Sequence, residues 1–354
     1  MILNEMNKIS KILDRIQNGN FEEGMISEIL ELDQTNLNEL LIITRKLTDK
    51  EFGKTLKSYI PGNRFPAISI TGSQCFLNCK HCNKHYLELM INADTPDKLI
   101  KICKKLDKEG AIGCLISGGF DNTFALPFEP FLSALKFIKK NTNLVLNIHT
   151  GLISEKLALA LGDVGVDIVS FDVVGDSKTI KAVYGIDKKP SDYINSINAL
   201  KSASIKHIAP HICIGLHFGN ISGEIEALKM IKEFNPYLIV LLALVPTKNT
   251  AIEGIKLEQN LVVKIITLTR LMFPTTPISL GCMRPGGRFR QNLDILAFRA
   301  GINRIEIPSN PLVKYLKNNR YKLLTFNSCC ALPSELESEL EIKEKINILN
   351  KPSL

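Results

Sequence analysis

From about residue 66 the chain repeats one unit eight times: a short run that is apolar throughout, then a polar, helix-like stretch. The runs are AISITG (67–72), CLISGG (114–119), LVLNIHTG (144–151), DIVSFDVVG (167–175), IAPHICIGL (208–216), LIVLLALVP (238–246), PISLGCM (277–283) and RIEIPS (304–309). A strand with one wet face alternates apolar and polar residues, whereas a strand apolar throughout is covered on both faces, as in a parallel sheet flanked by its crossover helices. Helix starts fall in the gaps. Thr95 before Pro96 supplies a hydroxyl acceptor and then a residue with no N–H to satisfy, and Ser154 is a second cap. Eight such units between residues 67 and 309 fit the roughly 250 residues of an α/β, (β/α)8 TIM-type barrel, with an open doubly wound sheet as the structural alternative.

Ahead of the repeat, Ile9, Ile12, Leu13 and Ile16 keep helical spacing, as do Leu37, Leu40 and Leu41 after the capping candidate Asp33. The expected organisation is a helical extension over 1–65, the barrel over 66–320, and a C-terminal segment over 321–354 that folds over the barrel mouth. The first twenty residues are amphipathic and charge-studded, unlike a signal peptide, and the run LIVLLALV (238–245) is too short to span a bilayer. A cytoplasmic chain with no membrane association is expected, whose nine cysteines stay reduced and serve as ligands or core fillers. An apolar fraction of 45% with 23% charged residues excludes wholesale disorder. The net charge of +8 weakly favours acidic partners, but the lysines are scattered and no basic–aromatic run points to nucleic acid.

The stretch CFLNCKHC follows the first apolar run directly, on a loop at the C-terminal face where barrel enzymes do their chemistry. Cys75, Cys79 and Cys82 cannot close a tetrahedral zinc site without a fourth ligand, which His81 or His85 would have to supply. Three thiolates can instead hold three irons of a [4Fe–4S] cluster and leave the fourth open. This spacing, right after a first barrel strand, resembles the radical S-adenosylmethionine (radical SAM) superfamily. The resemblance implies that the open iron chelates the amino and carboxylate groups of S-adenosyl-L-methionine (SAM), and that one electron cleaves its sulfonium C–S bond. It also implies site residues. His81, where the family has an aromatic residue, would stack on adenine. Gly118 and Gly119, in SGGF, stand where the family has Gly-Gly-Glu and would let backbone approach the methionyl amino group, but Phe120 occupies the place of the acid and Asp121 comes next. Asp172 would accept hydrogen bonds from the ribose hydroxyls, and Ile214 with Gly215 would pack against adenine. Without the resemblance, the glycine pair reads as an ordinary strand-end turn and Asp172 as a solvated aspartate.

Within that superfamily the preface NELLIITRKLTDKEFG and the full strand count look like the biotin synthase group. The combination SQCFLNCKHCNKHYLELM, LISGG, NIHTGLIS, FDVVGD, PHICIGLHFG and LGCMRPGG is similar to an archaeal branch, one member type of which is half of a two-protein lipoyl synthase. Biotin synthase holds a [2Fe–2S] cluster through cysteines on strands two, three and five and an arginine on strand seven. Here His149 falls near the strand-three position and the others match poorly, which argues against biotin as product. Of the six other cysteines, Cys103, Cys114 and Cys213 lie on apolar faces and read as packing. Cys282, at the end of strand seven, and the pair Cys329–Cys330 after the last strand can anchor a second iron–sulfur cluster, with Arg284, Ser328 or solvent as fourth ligand. An inert surface pair and a redox-active vicinal disulfide compete with that reading. His149, at the end of strand three, is a candidate for contact with substrate or auxiliary cluster, or a strand-end histidine bonded to backbone. The three histidines of HIAPHICIGLH are not expected to chelate a metal.

The expected function is reductive cleavage of SAM followed by sulfur insertion into an unactivated C–H bond, octanoyl to lipoyl. The expected partners are an acidic carrier domain, a second radical SAM subunit, and an electron donor of ferredoxin or flavodoxin type. The alternatives are a single-cluster radical SAM mutase or methylase-like enzyme and a non-catalytic iron–sulfur protein.

Overall fold

Each of the eight apolar runs contains a strand, and every pairing between strands among the described residues is parallel. The computed structural model describes residues 2–18 and 20–338, so the end of the expected C-terminal segment, 339–354, lies outside the described residues. The strands are β1 (Thr55–Tyr59), β2 (Ala67–Ser69), β3 (Ile91–Asn92), β4 (Gly113–Ser117), β5 (Val145–His149), β6 (Ile168–Asp172), β7 (His207–Ile214), β8 (Ile239–Ala243), β9 (Ile278–Leu280), β10 (Arg304–Glu306) and β11 (Lys322–Phe326). They form one sheet in the order β11-β1-β10-β9-β8-β7-β6-β5-β4-β2-β3, a TIM-like partial barrel. Helices connect the strands, and the caps expected from the sequence are in place. Thr95 Oγ1 accepts from the Lys98 N–H, Ser154 Oγ from Leu157, and Asp33 from Asn36.

Three strands, β1, β3 and β11, lie outside the eightfold repeat. β1 follows the helix Gln34–Phe52 and inserts between β10 and β11, so the three ranges expected from the sequence share a single sheet. Its sequence, TLKSY, lacks the apolar run that marks the others. β2 pairs with β3 and β4 and makes no ladder with β10, which leaves the seam of the barrel open.

The C-terminal segment occupies the interior that an unclosed sheet leaves free. It meets the mouth only where it leaves β11, and then descends toward the strand beginnings. Tyr237, just before β8, donates its hydroxyl to the Ala331 carbonyl at 2.6 Å. Arg304, the first residue of β10, donates to the Leu332 carbonyl at 2.7 Å and pairs with Glu337 at 2.8 Å. Tyr59 and Lys57 also hold the Glu337 carboxylate, and His207, which opens β7, bonds Glu335 at 2.8 Å. Cys330, Ala331 and Leu332 complete an apolar cluster with Tyr59, Ile168, Ala209, Leu238 and Val240. A closed barrel fills this space with layers of side chains from its own strands; here a length of main chain does part of that filling. Among the described residues no helix is long and apolar enough to cross a membrane.

Candidate active site

The loop after β2 carries Cys75, Cys79 and Cys82, half-buried, buried and half-buried, in a frame set by backbone hydrogen bonds. Phe76 N–H donates to the Phe120 carbonyl at 2.8 Å and Lys80 N–H to that of Val183, also at 2.8 Å. Asn83 and Lys84 then take left-handed φ values of 42° and 64°, which turn the chain sharply after Cys82. Gly119 explains how the loop sits so close to the end of β4. A Cβ there would lie 2.0 Å from the Gln74 carbonyl and 2.5 Å from Cys75 Cβ. Its N–H donates to Thr71 Oγ1 at 2.7 Å, and a Cβ on Gly118 would meet that same oxygen at 3.0 Å. The glycine pair thus seats the cysteine loop, a task the sequence did not reveal.

Cys79 and Cys82 share a hydrogen bond, which holds the Cys82 thiol down to about 7 and pushes that of Cys79 up. That pairing favours a thiolate at Cys82, the form that binds metal. Cys75 points its thiol toward the Phe120 carbonyl at 3.8 Å. Three sulfur donors on one loop match the donor set of a [4Fe–4S] cluster with one open iron, and the residues fit that group.

Asp172, exposed at the end of β6, lies at the electrostatic centre of the mouth: His81, His149, His211, Tyr184, Tyr193 and Cys213 all lie in its field. His81 packs edge-on to Tyr184 at 5.4 Å, its Nδ1 is buried without a partner, and burial holds it down to about 4. Tyr184 belongs to the π-helical turn Ile180–Tyr184, which also supplies the Val183 carbonyl that Lys80 bonds. The Tyr193 hydroxyl is likewise buried and unpartnered. Unmet polar atoms around a carboxylate are what a polar ligand would satisfy.

His149 at the end of β5 faces His211 with ring centroids 5.6 Å apart, and its Nδ1 lies 3.5 Å from Ser117 Oγ. Of the two histidines, His211 is the one bonded to backbone, through Nδ1 to the Ala209 carbonyl at 2.9 Å. Ile214 and Gly215, the residues expected to pack against adenine, stand at the end of β7 with one backbone group of each engaged. The Ile214 carbonyl accepts from Leu244 at 3.0 Å, and the Gly215 N–H donates to Glu224 at 2.8 Å. Asp121 does not replace the missing acid, because its carboxylate accepts from Thr123 and Ala125 within its own turn. Cys103 and Cys114 are wholly buried and bond each other, as expected of packing residues.

The second set of thiols assembles beneath the mouth. Cys329, Cys330 and Glu306 bring one donor atom each within 4.8 Å of one another. Cys282, exposed at the end of β9, lies in the field of Glu306 and Cys329. Arg284 is not free to act as fourth ligand. It bonds Asp294 at 2.8 Å, both side chains being fully buried, and the carbonyls of Gly281, Glu306 and Ile307. Ser328 Oγ is buried without a partner. Tyr86 lies in the fields of both Cys82 and Cys282, one thiol of each set. Sequence reasoning missed Glu306. Its signal was available in RIEIPS, where two charged residues at alternate positions share one face of a short strand in a sheet expected to be covered on both sides.

Comparison with known proteins agrees with this geometry. The family model described as "Radical SAM superfamily" matches residues 69–231. The biotin synthase of Clostridium acetobutylicum is 25% identical over 318 residues, covering 85% of this chain and 90% of that protein. That of Clostridium tetani is 27% identical over 282 residues, covering 76% and 80%. Among solved structures, methylornithine synthase superposes with a TM-score of 0.64 at 19% identity, covering 88% of this chain and 97% of that one. The FeFe-hydrogenase maturase of Carboxydothermus hydrogenoformans superposes with a TM-score of 0.67 at 16% identity, covering 90% and 80%.

Proposed function

Because this chain belongs to the radical SAM superfamily and its biotin-synthase-like group, we propose that it is a sulfur-inserting member, acting on an unactivated C–H bond of an octanoyl chain carried by an acidic protein domain. The coarser activity, that of a radical SAM enzyme, follows from the family, which implies a [4Fe–4S] cluster and SAM. Cys75, Cys79 and Cys82 would hold that cluster, and Cys282 with Cys329 and Cys330 a second one. When bound, the two clusters supply an electron that cleaves the sulfonium C–S bond of SAM and a sulfide that becomes the inserted atom. The chain's own residues bind and exclude. Asp172 accepts the ribose hydroxyls of SAM, His81 lies against the adenine side of the loop, and the neutral His149–His211 pair lines the space a substrate chain would enter. The C-terminal segment fills part of the lumen from below, which leaves less room for water beside a bound substrate.

The observation that carries this reading is a second set of thiols, Cys282 at the mouth and Cys329 with Cys330 beneath it, separate from the loop set. A one-cluster enzyme has no use for the second. The net charge of +8 supports an acidic carrier, and an electron donor of ferredoxin or flavodoxin type and a second radical SAM subunit complete the proposal. Anaerobically reconstituted protein should bind about eight irons with matching sulfide, and a Cys329→Ser/Cys330→Ser variant about four. That variant should still form 5′-deoxyadenosine but no thiolated octanoyl product. A wild-type chain that saturates at about four irons overturns the proposal in favour of single-cluster chemistry.

A further inference from the structure

We propose that Glu306 is a protein ligand of the second iron–sulfur cluster, completing a set of one carboxylate and three thiolates with Cys282, Cys329 and Cys330. The inference rests on the reading that a second cluster exists, and it goes beyond that reading in naming an oxygen donor from β10.

Glu306 is 6% exposed, and among the described residues no cation pairs with its carboxylate. Three arginines stand nearby, and each is engaged elsewhere. Arg284 is committed to Asp294 and to main-chain carbonyls, including that of Glu306 itself. Arg290 donates to the Ile307 carbonyl at 2.6 Å, and Arg304 serves Glu337, Ser334 and the Leu332 carbonyl. A carboxylate buried without a cation beside it is costly, and proteins normally pair it or give it to a metal. Among the described residues the side chain bonded to this one is Cys330, whose neighbour Cys329 completes a group with donor atoms within 4.8 Å of one another. A cation placed among them would compensate all three donors together.

The surrounding structure holds the donors in place. Arg304 grips the carbonyls of Cys330 and Leu332, and Tyr237 grips that of Ala331, which fixes the main chain at the cysteine pair. Cys329 Sγ accepts from Asn147 Nδ2 at 3.7 Å and from the Ala331 N–H at 3.5 Å, which fixes the position of the sulfur. Soft thiolates joined by one carboxylate suit iron or zinc and do not suit magnesium or calcium. Cys282 extends the set toward the mouth, where one metal ion would leave it unused.

The test uses full-length protein reconstituted anaerobically with iron and sulfide. Glu306→Gln keeps the side-chain shape, and its thermal melt reports that it folds. Relative to wild type it should lose half or more of the second cluster's iron and sulfide, and Glu306→Cys should restore them with altered Mössbauer parameters for one iron. If wild type takes up about eight irons and both variants match it in iron, sulfide and Mössbauer spectrum, Glu306 is not a ligand and its carboxyl is a hydrogen-bonding partner of Cys330 only. Wild-type saturation at about four irons removes the second cluster and this ligand with it. Stoichiometric zinc in place of iron and sulfide overturns the cluster in favour of a mononuclear site.

Discussion

The cysteine loop after β2 and the cysteine pair after β11 present the same donor type in opposite surroundings. The loop lies at the surface: Phe76 is 73% exposed, and the loop is secured by backbone hydrogen bonds and by the close approach that Gly119 permits. The pair lies inside the molecule: Cys330 is 3% exposed, packed in an apolar cluster and pinned by the buried ion pair of Arg304 and Glu337. The first arrangement suits thiolates that must leave one iron reachable by a small ligand, because Cys75 and Cys82 stay partly exposed. The second suits donors that must not move, because their main chain is part of the core. Loops on a rigid sheet carry exchangeable chemistry, and core segments carry fixed geometry.

The largest effect should follow from removing the exposed set. Replacing Cys75, Cys79 and Cys82 together by alanine should abolish 5′-deoxyadenosine formation and remove about four irons. The melting temperature should change little, since two of these thiols are only half-buried. Residual SAM cleavage by the triple variant would break the comparison at its root.

The inverse is expected of the buried set's anchor. Glu337→Ala leaves Arg304 buried without its partner, a change that costs about 3–5 kcal/mol. Denaturant unfolding should show that loss, and the second iron–sulfur signal should weaken while the first survives. A stability change under about 1 kcal/mol would show that the interior segment does not anchor the pair.

The smallest effect should come from Asp172, at the mouth. Asp172→Asn keeps the shape and removes a charged acceptor worth about 1.5–3 kcal/mol. SAM affinity measured by calorimetry should fall about tenfold or more with iron content unchanged. An unchanged dissociation constant would return Asp172 to the role of a solvated strand-end residue.

Features written in local pattern are legible in the amino-acid sequence itself. Eight strands read as apolar runs because both sheet faces are covered, and Thr95, Ser154 and Asp33 read as caps because the acceptor and the N–H it serves lie within three residues. The cysteine triad reads as an iron–sulfur site because its three donors share one loop of eight residues, CFLNCKHC. Other features depend on partners far apart in the chain. β1 is a strand because β10 and β11, more than two hundred residues away, flank it, and nothing in TLKSY announces that. Glu337 meets Lys57 and Tyr59 across separations of 280 and 278 residues, and Cys329 meets Asn147 across 182. The seating role of Gly119 needs Gln74 and Cys75 from another loop. Sequence by itself determined the hydrogen-bonding and burial pattern of each element, which are properties of neighbouring residues. Only the tertiary structure decided that the sheet stays open, that the C-terminal segment fills it, and that Glu306 comes to lie beside two thiols, because these depend on which distant surfaces are left uncovered once the strands have paired.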